Sequence, residues 1–141
     1  MTDDQLFSLA NAVPLVGWFA LLLAPLVRTT LVTTARVVAV VLAVGYALGI
    51  AAALVAGGGA MPDLATLSGL AHAFSTPRVM LVGWVHYLAF DLWVGAWEAD
   101  DAGRRGMPHA ALVPCLALTF LAGPVGLLLF LILRVKWRAS A

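Results

Sequence analysis

Apolar and polar positions along this chain segregate on the scale of whole membrane-crossing helices. Four apolar stretches, about 6–27, 35–56, 78–99 and 110–133, each reach the roughly 20 residues that a bilayer core about 30 Å thick requires of a helix. The first carries Asn11 and Pro14 early and Pro25 late, and stops at Arg28. The second holds Gly45, Gly49 and Ala53 at four-residue spacing, a small-residue stripe suited to close helix contact, and runs out in "GGGAMPD". The third opens with "STPR", where Pro77 fits the first turn of a helix. The fourth contains Pro114 and then "GPVG" at 123–126, which predicts a kink or a freed carbonyl near Pro124. Between the second and third stretches, Leu64, Leu67, Ala71 and Phe74 recur at helical spacing and predict a short interfacial helix over about 63–75, with His72 an interfacial residue on it. The pattern predicts an all-α integral membrane protein with four transmembrane helices, an interfacial helix between helices two and three, and a single domain over 1–141.

Composition agrees with a multi-pass membrane protein. Of 141 residues, 63% are hydrophobic and 11% charged, with mean hydropathy +1.02, whereas soluble domains are usually about a quarter charged. A net charge of +1 without a basic stripe argues against nucleic acid as a partner. Cys115 is the single cysteine, so no intramolecular disulfide forms. The opening "MTDDQLF" lacks a positively charged n-region, so the first apolar segment reads as retained rather than cleaved.

Four spans put both termini on one side, with Arg78, Arg134, Lys136 and Arg138; Arg28, Arg36, Arg104 and Arg105 fall on the other. The positive-inside rule then returns a tie, and the dense "RVKWR" with its Trp anchor is what places both termini in the cytoplasm.

The third span carries the candidate chemistry. On a wheel with about 100° per residue and His86 at zero, Gly83 falls near 60°, Tyr87 near 100°, Glu98 near 120° and Asp91 near 140°. Leu81, Val82, Val85, Leu88, Ala89 and Leu92 fill roughly 200° to 320°. One side is lipid-like and the other polar, so His86, Tyr87 and Asp91 are expected to face the bundle, and Leu81, Leu88 and Leu92 to face lipid. Counting about 1.5 Å per residue from the charged end near residue 100, Asp91 lies roughly 13 Å deep, His86 roughly 20 Å deep, and Glu98 near the interface. An ionised Asp at a span centre costs about 2.5–3.5 kcal/mol, so Asp91 is expected to be protonated, paired or beside water. Asp91 accepting a hydrogen bond from Tyr87, with His86 tying its helix to a neighbour, is the purely structural reading.

Trp84, Trp93 and Trp97 suit packing or an interfacial belt, and also a flat polyene ligand. Beyond the span, "EADDAGRRGMPH" reads as a charged turn laced with ion pairs, or as a lid with Arg104, Arg105 and His109 facing a ligand's polar end. Glu98, Asp101 and His109 make a carboxylate–histidine metal site at the interface conceivable, but no dense ligand signature is present and no metal is expected. A bis-histidine haem on His86 and His109 fails because the two lie about 20 Å apart in depth.

The run from Gly83 to Arg134, with W-V-H…D, then R-x-G-x-P-H, then G-P-x-G-L-L-L, resembles the abscisic-acid-deficient-four-like family, whose plant members are required to form neoxanthin. The resemblance implies a membrane-embedded carotenoid-pathway protein of the bacterial branch, in the inner membrane, without a cofactor. Its chemistry would be acid–base isomerisation of an epoxy-carotenoid or related isoprenoid lipid. His86 and Asp91 are the expected catalytic pair, and Tyr87, Glu98, Trp84, Trp97, Arg104, Arg105 and His109 the expected substrate-binding set. The plant pattern keeps positions like His86, Asp91 and His109 but lacks a carboxylate like Glu98. Non-catalytic binding of a carotenoid or other isoprenoid lipid, or scaffolding a separate biosynthetic enzyme, is the alternative, and a homo-oligomer or a complex with that enzyme fits either. A proton-coupled transporter would also use Asp91, but four spans without an inverted repeat speak against it.

Overall fold

The computed structural model describes residues 1–56 and 62–137. The glycines of the expected break at 57–59 and Arg138 of the basic cluster lie outside the described residues. Within them the fold is all helical: α1 Asp3–Leu22, α2 Arg28–Ala56, α3 Leu67–Phe74, α4 Pro77–Arg104, α5 His109–Ala122 and α6 Pro124–Leu133, followed by a 3-10 turn at Arg134–Lys136. Three of these, α1, α2 and α4, are long and apolar enough to cross a membrane.

Local chemistry accounts for the helix starts. At α1 a capping box closes, with Gln5 N–H donating to Thr2 Oγ1 at 3.3 Å and Thr2 N–H donating to Gln5 Oε1 at 2.9 Å. Before α3, the Asp63 carboxylate accepts from Ala65 N–H at 2.9 Å and from the Thr66 hydroxyl at 2.8 Å, and Thr66 Oγ1 caps Gly69 N–H at 3.1 Å. Those donors hold the Asp63 carboxyl below its usual range. Pro77 opens α4 at the first helical position, as its sequence predicts. The eight-residue α3 lies within the expected 63–75 segment, with Leu67, Ala71 and Phe74 exposed together.

α4 is the centre of the fold, packing against α1, α2, α3, α5 and α6. α1 meets it through close approaches: Leu92 lies directly on Gly17, and the Trp18 ring on Gly95. α2 meets it at Gly49, where the Val82 side chain occupies the space a Cβ would need.

The expected fourth span, 110–133, is not one continuous helix. Its helix ends at Ala122 and restarts at Pro124, with Gly123 between at φ 15°, ψ −82°. A kink is expected from Pro124; the structure instead folds the chain back. α5 starts at the end of α4, where His109 Nε2 meets the Leu22 carbonyl at 3.0 Å, and descends along α4 until Gly123 reaches Asp91. α6 then returns the same way. Phe130 packs edge-on against Trp97 at 5.4 Å, Arg134 pairs with Asp101 at 3.2 Å, and Arg105 reaches the Trp137 carbonyl at 3.4 Å. The lengths agree, since 14 and 10 residues rise about 21 and 15 Å, each too little for a core about 30 Å thick. α5 and α6 are a helical hairpin whose two outer ends lie at the same end of the molecule.

This moves the C-terminus. Asp3 and Arg78 pair at 2.8 Å and mark one end of the molecule, while Arg28, Arg36, Arg104, Arg105, Arg134 and Lys136 gather at the other. The tie becomes six described cations against Arg78. An asymmetry of that kind is what the positive-inside rule weighs, and it favours the six-cation end as the inner one. Reporters fused to the two termini are therefore expected on opposite faces of the membrane, the C-terminal one inside. Both reporters on one face would restore four full spans.

Candidate functional site

Burial along α4 corrects the two-sided wheel. Leu81, Leu88, Ala89 and Leu92 are buried rather than lipid-facing, Leu92 completely, because α1 and α2 cover that side. Asp91, Glu98 and Asp101 are buried too, beneath the hairpin. A central helix has interior on two sides, and between them a narrow strip stays outside along the helix. His86 lies on that strip with Phe90 and Trp93, its ring 5.1 Å from Tyr46 of α2 and 4.7 Å from Phe90. His86 and Asp91 therefore point to different surroundings and form no pair.

The informative side of α4 is the row Met80, Trp84, Tyr87, Asp91 and Glu98, which share a sector about 60° wide. Exposure falls along it, from 50% at Met80 and 36% at Trp84 through half-buried Tyr87 to 9% at Asp91 and 0% at Glu98. The hairpin causes the gradient, because it covers only the half of α4 beyond Asp91. In the bare half, Trp84 stacks on Tyr87 at 5.3 Å and 25° and donates its indole N–H to Asn11 Oδ1 of α1 at 3.0 Å. A groove of about 330 Å³ lined by Asp3, Asp4, Phe7, Met80 and Trp84 continues this face to the end of the molecule.

Asp91 sits at the boundary, near the middle of α4. Its Oδ2 is buried, with no hydrogen-bond partner among the described residues, and its Oδ1 lies against Gly123 at the hairpin tip. The Tyr87 phenol, one turn earlier, lies beside both the Asp91 carboxyl and the Gly123 backbone. Glu98, expected near the interface, is instead enclosed by the hairpin. Its two oxygens take the Thr119 hydroxyl at 3.0 and 3.1 Å, and Cys115 of α5 is a neighbour. Counting depth from residue 100 misplaced it, because α4 runs on to Arg104 and its last turns are wrapped by α5 and α6.

The "EADDAGRR" segment is the last turns of α4 rather than a loop, and it reads as an ion-pair network. Asp101 accepts from Arg105 at 2.6 Å and Arg134 at 3.2 Å, while Asp100 pairs with Arg36 at 2.7 Å and Arg104 at 3.1 Å. Arg28 crosses Gly103 to donate to the Ala99 carbonyl. These contacts fasten the base of the hairpin and the start of α2 to α4. Trp97 belongs to the same fastening, with the Arg134 guanidinium 5.4 Å from its ring. Arg104, Arg105, Trp97 and His109 thus stand apart from Trp84, Tyr87 and Asp91. Glu98, Asp101 and His109 do not converge, and no group of three His, Cys, Asp or Glu does among the described residues.

Two residues of the site were not singled out from sequence. Thr119 is the only hydroxyl in the apolar run 110–133, and that isolation was a usable signal. The sequence marks Gly123 only as part of a kink, whereas in the fold it is the residue that meets Asp91.

A Cβ at position 123 would come within 2.5 Å of Asp91 Oδ1, whereas one at Gly45 meets nothing within 4 Å. Gly123→Ala is expected to lower stability in detergent by about 1–3 kcal/mol, as overpacking does, with Gly45→Ala nearly neutral. Equal melting temperatures for the two variants would remove Asp91 from the hairpin tip.

The profile of the ABA DEFICIENT 4-like family matches residues 5–130. No curated protein and no solved structure gives a significant match. The matched region runs from the first turn of α1 to Phe130 of α6 and so takes in α4, Asp91 and the hairpin. The chain belongs to the ABA DEFICIENT 4-like family.

Proposed function

We propose that the protein is a carotenoid-pathway membrane protein that takes a polyene or related isoprenoid lipid sideways from the bilayer and presents its end group to Asp91. The single observation behind this is the graded row on α4: an aromatic, lipid-accessible half at Trp84 and Tyr87 that ends in a carboxyl under the hairpin tip. Stacked indole and phenol rings suit a flat conjugated chain, and Asn11 fixes the Trp84 plane.

The chemistry that a lone carboxyl supplies in such a place is proton transfer. Asp91 donates its proton to an epoxide oxygen as the C–O bond breaks toward that oxygen. The resulting carboxylate then takes a proton from the adjacent polyene carbon, leaving an allenic alcohol and the acid restored. Atoms and charge balance with no redox partner. His86 takes no part, being on the outer strip, and the hairpin shields the reacting end from water.

The fourth apolar segment serves this function as a re-entrant hairpin. α3, whose apolar face is exposed, lies in the membrane interface on the opposite side.

One observation favours a second reading. Asp91 Oδ1 lies against the backbone of the hairpin tip, which suits a structural latch in a protein that binds polyene without converting it. Asp91→Asn separates the two, since it keeps the shape of a neutral carboxyl and cannot deliver a proton. Turnover of an epoxy-carotenoid is expected to fall about 10²–10⁴-fold, while polyene absorption of the purified protein and its melting temperature hold. Full turnover in this variant would leave binding or scaffolding as the function.

A further inference from the structure

Asp91 is buried against the hairpin tip, at the middle of a 28-residue apolar helix. Water cannot reach it through lipid. Any change in its protonation needs a polar route through the protein, and the described residues offer one. Two turns beyond Asp91 on the same side of α4 lies Glu98, about 10 Å along the axis. Its carboxyl is 0% exposed, and the Thr119 hydroxyl is its one hydrogen-bond partner among the described residues. One hydroxyl proton leaves most of the acceptor capacity of a carboxylate unmet, and no described cation pairs with Glu98 to offset a charge there. Asp101 follows three residues later at the polar end, where Arg104, Arg105 and Arg134 hold it.

The groups facing Glu98 are thus few. α5 presents Thr119 and Cys115, α4 itself presents Asp91 below and Asp101 above, and α6 packs Phe130 on Trp97 nearby. A buried carboxyl with one mobile hydroxyl partner, between a polar end and a second buried carboxyl with an unpartnered oxygen, is an arrangement for passing protons. We infer that Glu98 relays protons between the arginine-rich end of the molecule and Asp91, with the Thr119 hydroxyl as its neighbour on the way. In one passage Glu98 gives its proton toward the Asp91 carboxylate and regains one from water at the polar end, with no net redox change. The relay extends the reading of Asp91 given above, but its test requires no turnover.

The test is infrared spectroscopy of the full chain in phosphatidylcholine nanodiscs after transfer to D₂O. The C=O band of protonated Asp91 is assigned by its disappearance in Asp91→Asn. In the native protein this band shifts as deuterium arrives. In Glu98→Gln, which keeps the shape and can still accept from Thr119, the shift is expected to slow at least tenfold. Thr119→Val is expected to slow it as well and serves where Glu98→Gln does not fold. Unchanged exchange in a folded variant of either kind overturns the relay, as does a native protein with no protonated Asp91 band. Loss of turnover in Asp91→Asn together with unchanged exchange in Glu98→Gln would reject the relay while leaving the acid role intact.

Discussion

A helix that stops in the apolar middle of a helical bundle leaves its terminal backbone groups without water, and that constraint organises this protein. At the turn between α5 and α6 the last carbonyls of one helix and the first N–H groups of the other meet, and Pro124 has already removed one donor. Non-helical backbone at such depth is tolerated only where protein covers it. Here the cover is the polar row of α4: Tyr87 and Asp91 lie against Gly123, which has room for them because it lacks a Cβ. Gly126 lets the first turn of α6 lie directly on Thr119, so the two arms stay close enough to share that row. Asp101, gripping Arg105 and Arg134, then fixes both arms at their base. Without Asp91 and Tyr87 at the tip, the break at Gly123 would sit bare in lipid.

The same arrangement explains why Asp91 can be both a structural and a chemical residue. The covered half of α4 needs a polar group to receive the hairpin tip, and in the proposed function the bare half gives lipid-soluble molecules access to the same carboxyl. Glu98 shows what full cover does, since a carboxyl only two turns further on has no exposure at all. Position relative to the hairpin, rather than residue type, decides how far each acid is covered.

Much of this was legible in the sequence. Hydropathy located α1, α2 and α4, the Pro77 start and the short α3, and the break near Pro124 was placed within a residue. The direction of the chain after that break was not legible, because 24 apolar residues suffice for one crossing or for two half-crossings, and hydropathy measures only length and apolarity. The helical wheel failed for a related reason. It assumed one interior side, whereas Gly17 and Gly95 let α1 approach the Leu92 side while the hairpin covers the Asp91 side. His86 was assigned inward because it bounds the polar arc, yet a histidine between Tyr46 and Phe90 is as much aromatic as polar. The motif as a linear pattern held together residues that the fold separates: Asp91 goes with Trp84 and Tyr87, and Arg105 and His109 go with the base of the hairpin.

The charge pattern of the sequence itself carries a signal against four spans. A four-span reading divides eight cations four and four, a balance that gives an inserting chain no preferred direction. Folding the last segment back transfers Arg134 and Lys136 to the side of Arg28, Arg36, Arg104 and Arg105, and the asymmetry becomes six to one among the described residues. The transferred cation Arg134 also finds there the carboxylate it pairs with, Asp101. Its position beside Asp101 is the same fact as the direction of α6, so insertion energetics and tertiary ion pairing select one topology. An even split of Lys and Arg across a proposed set of spans is itself evidence that one of the apolar segments does not cross.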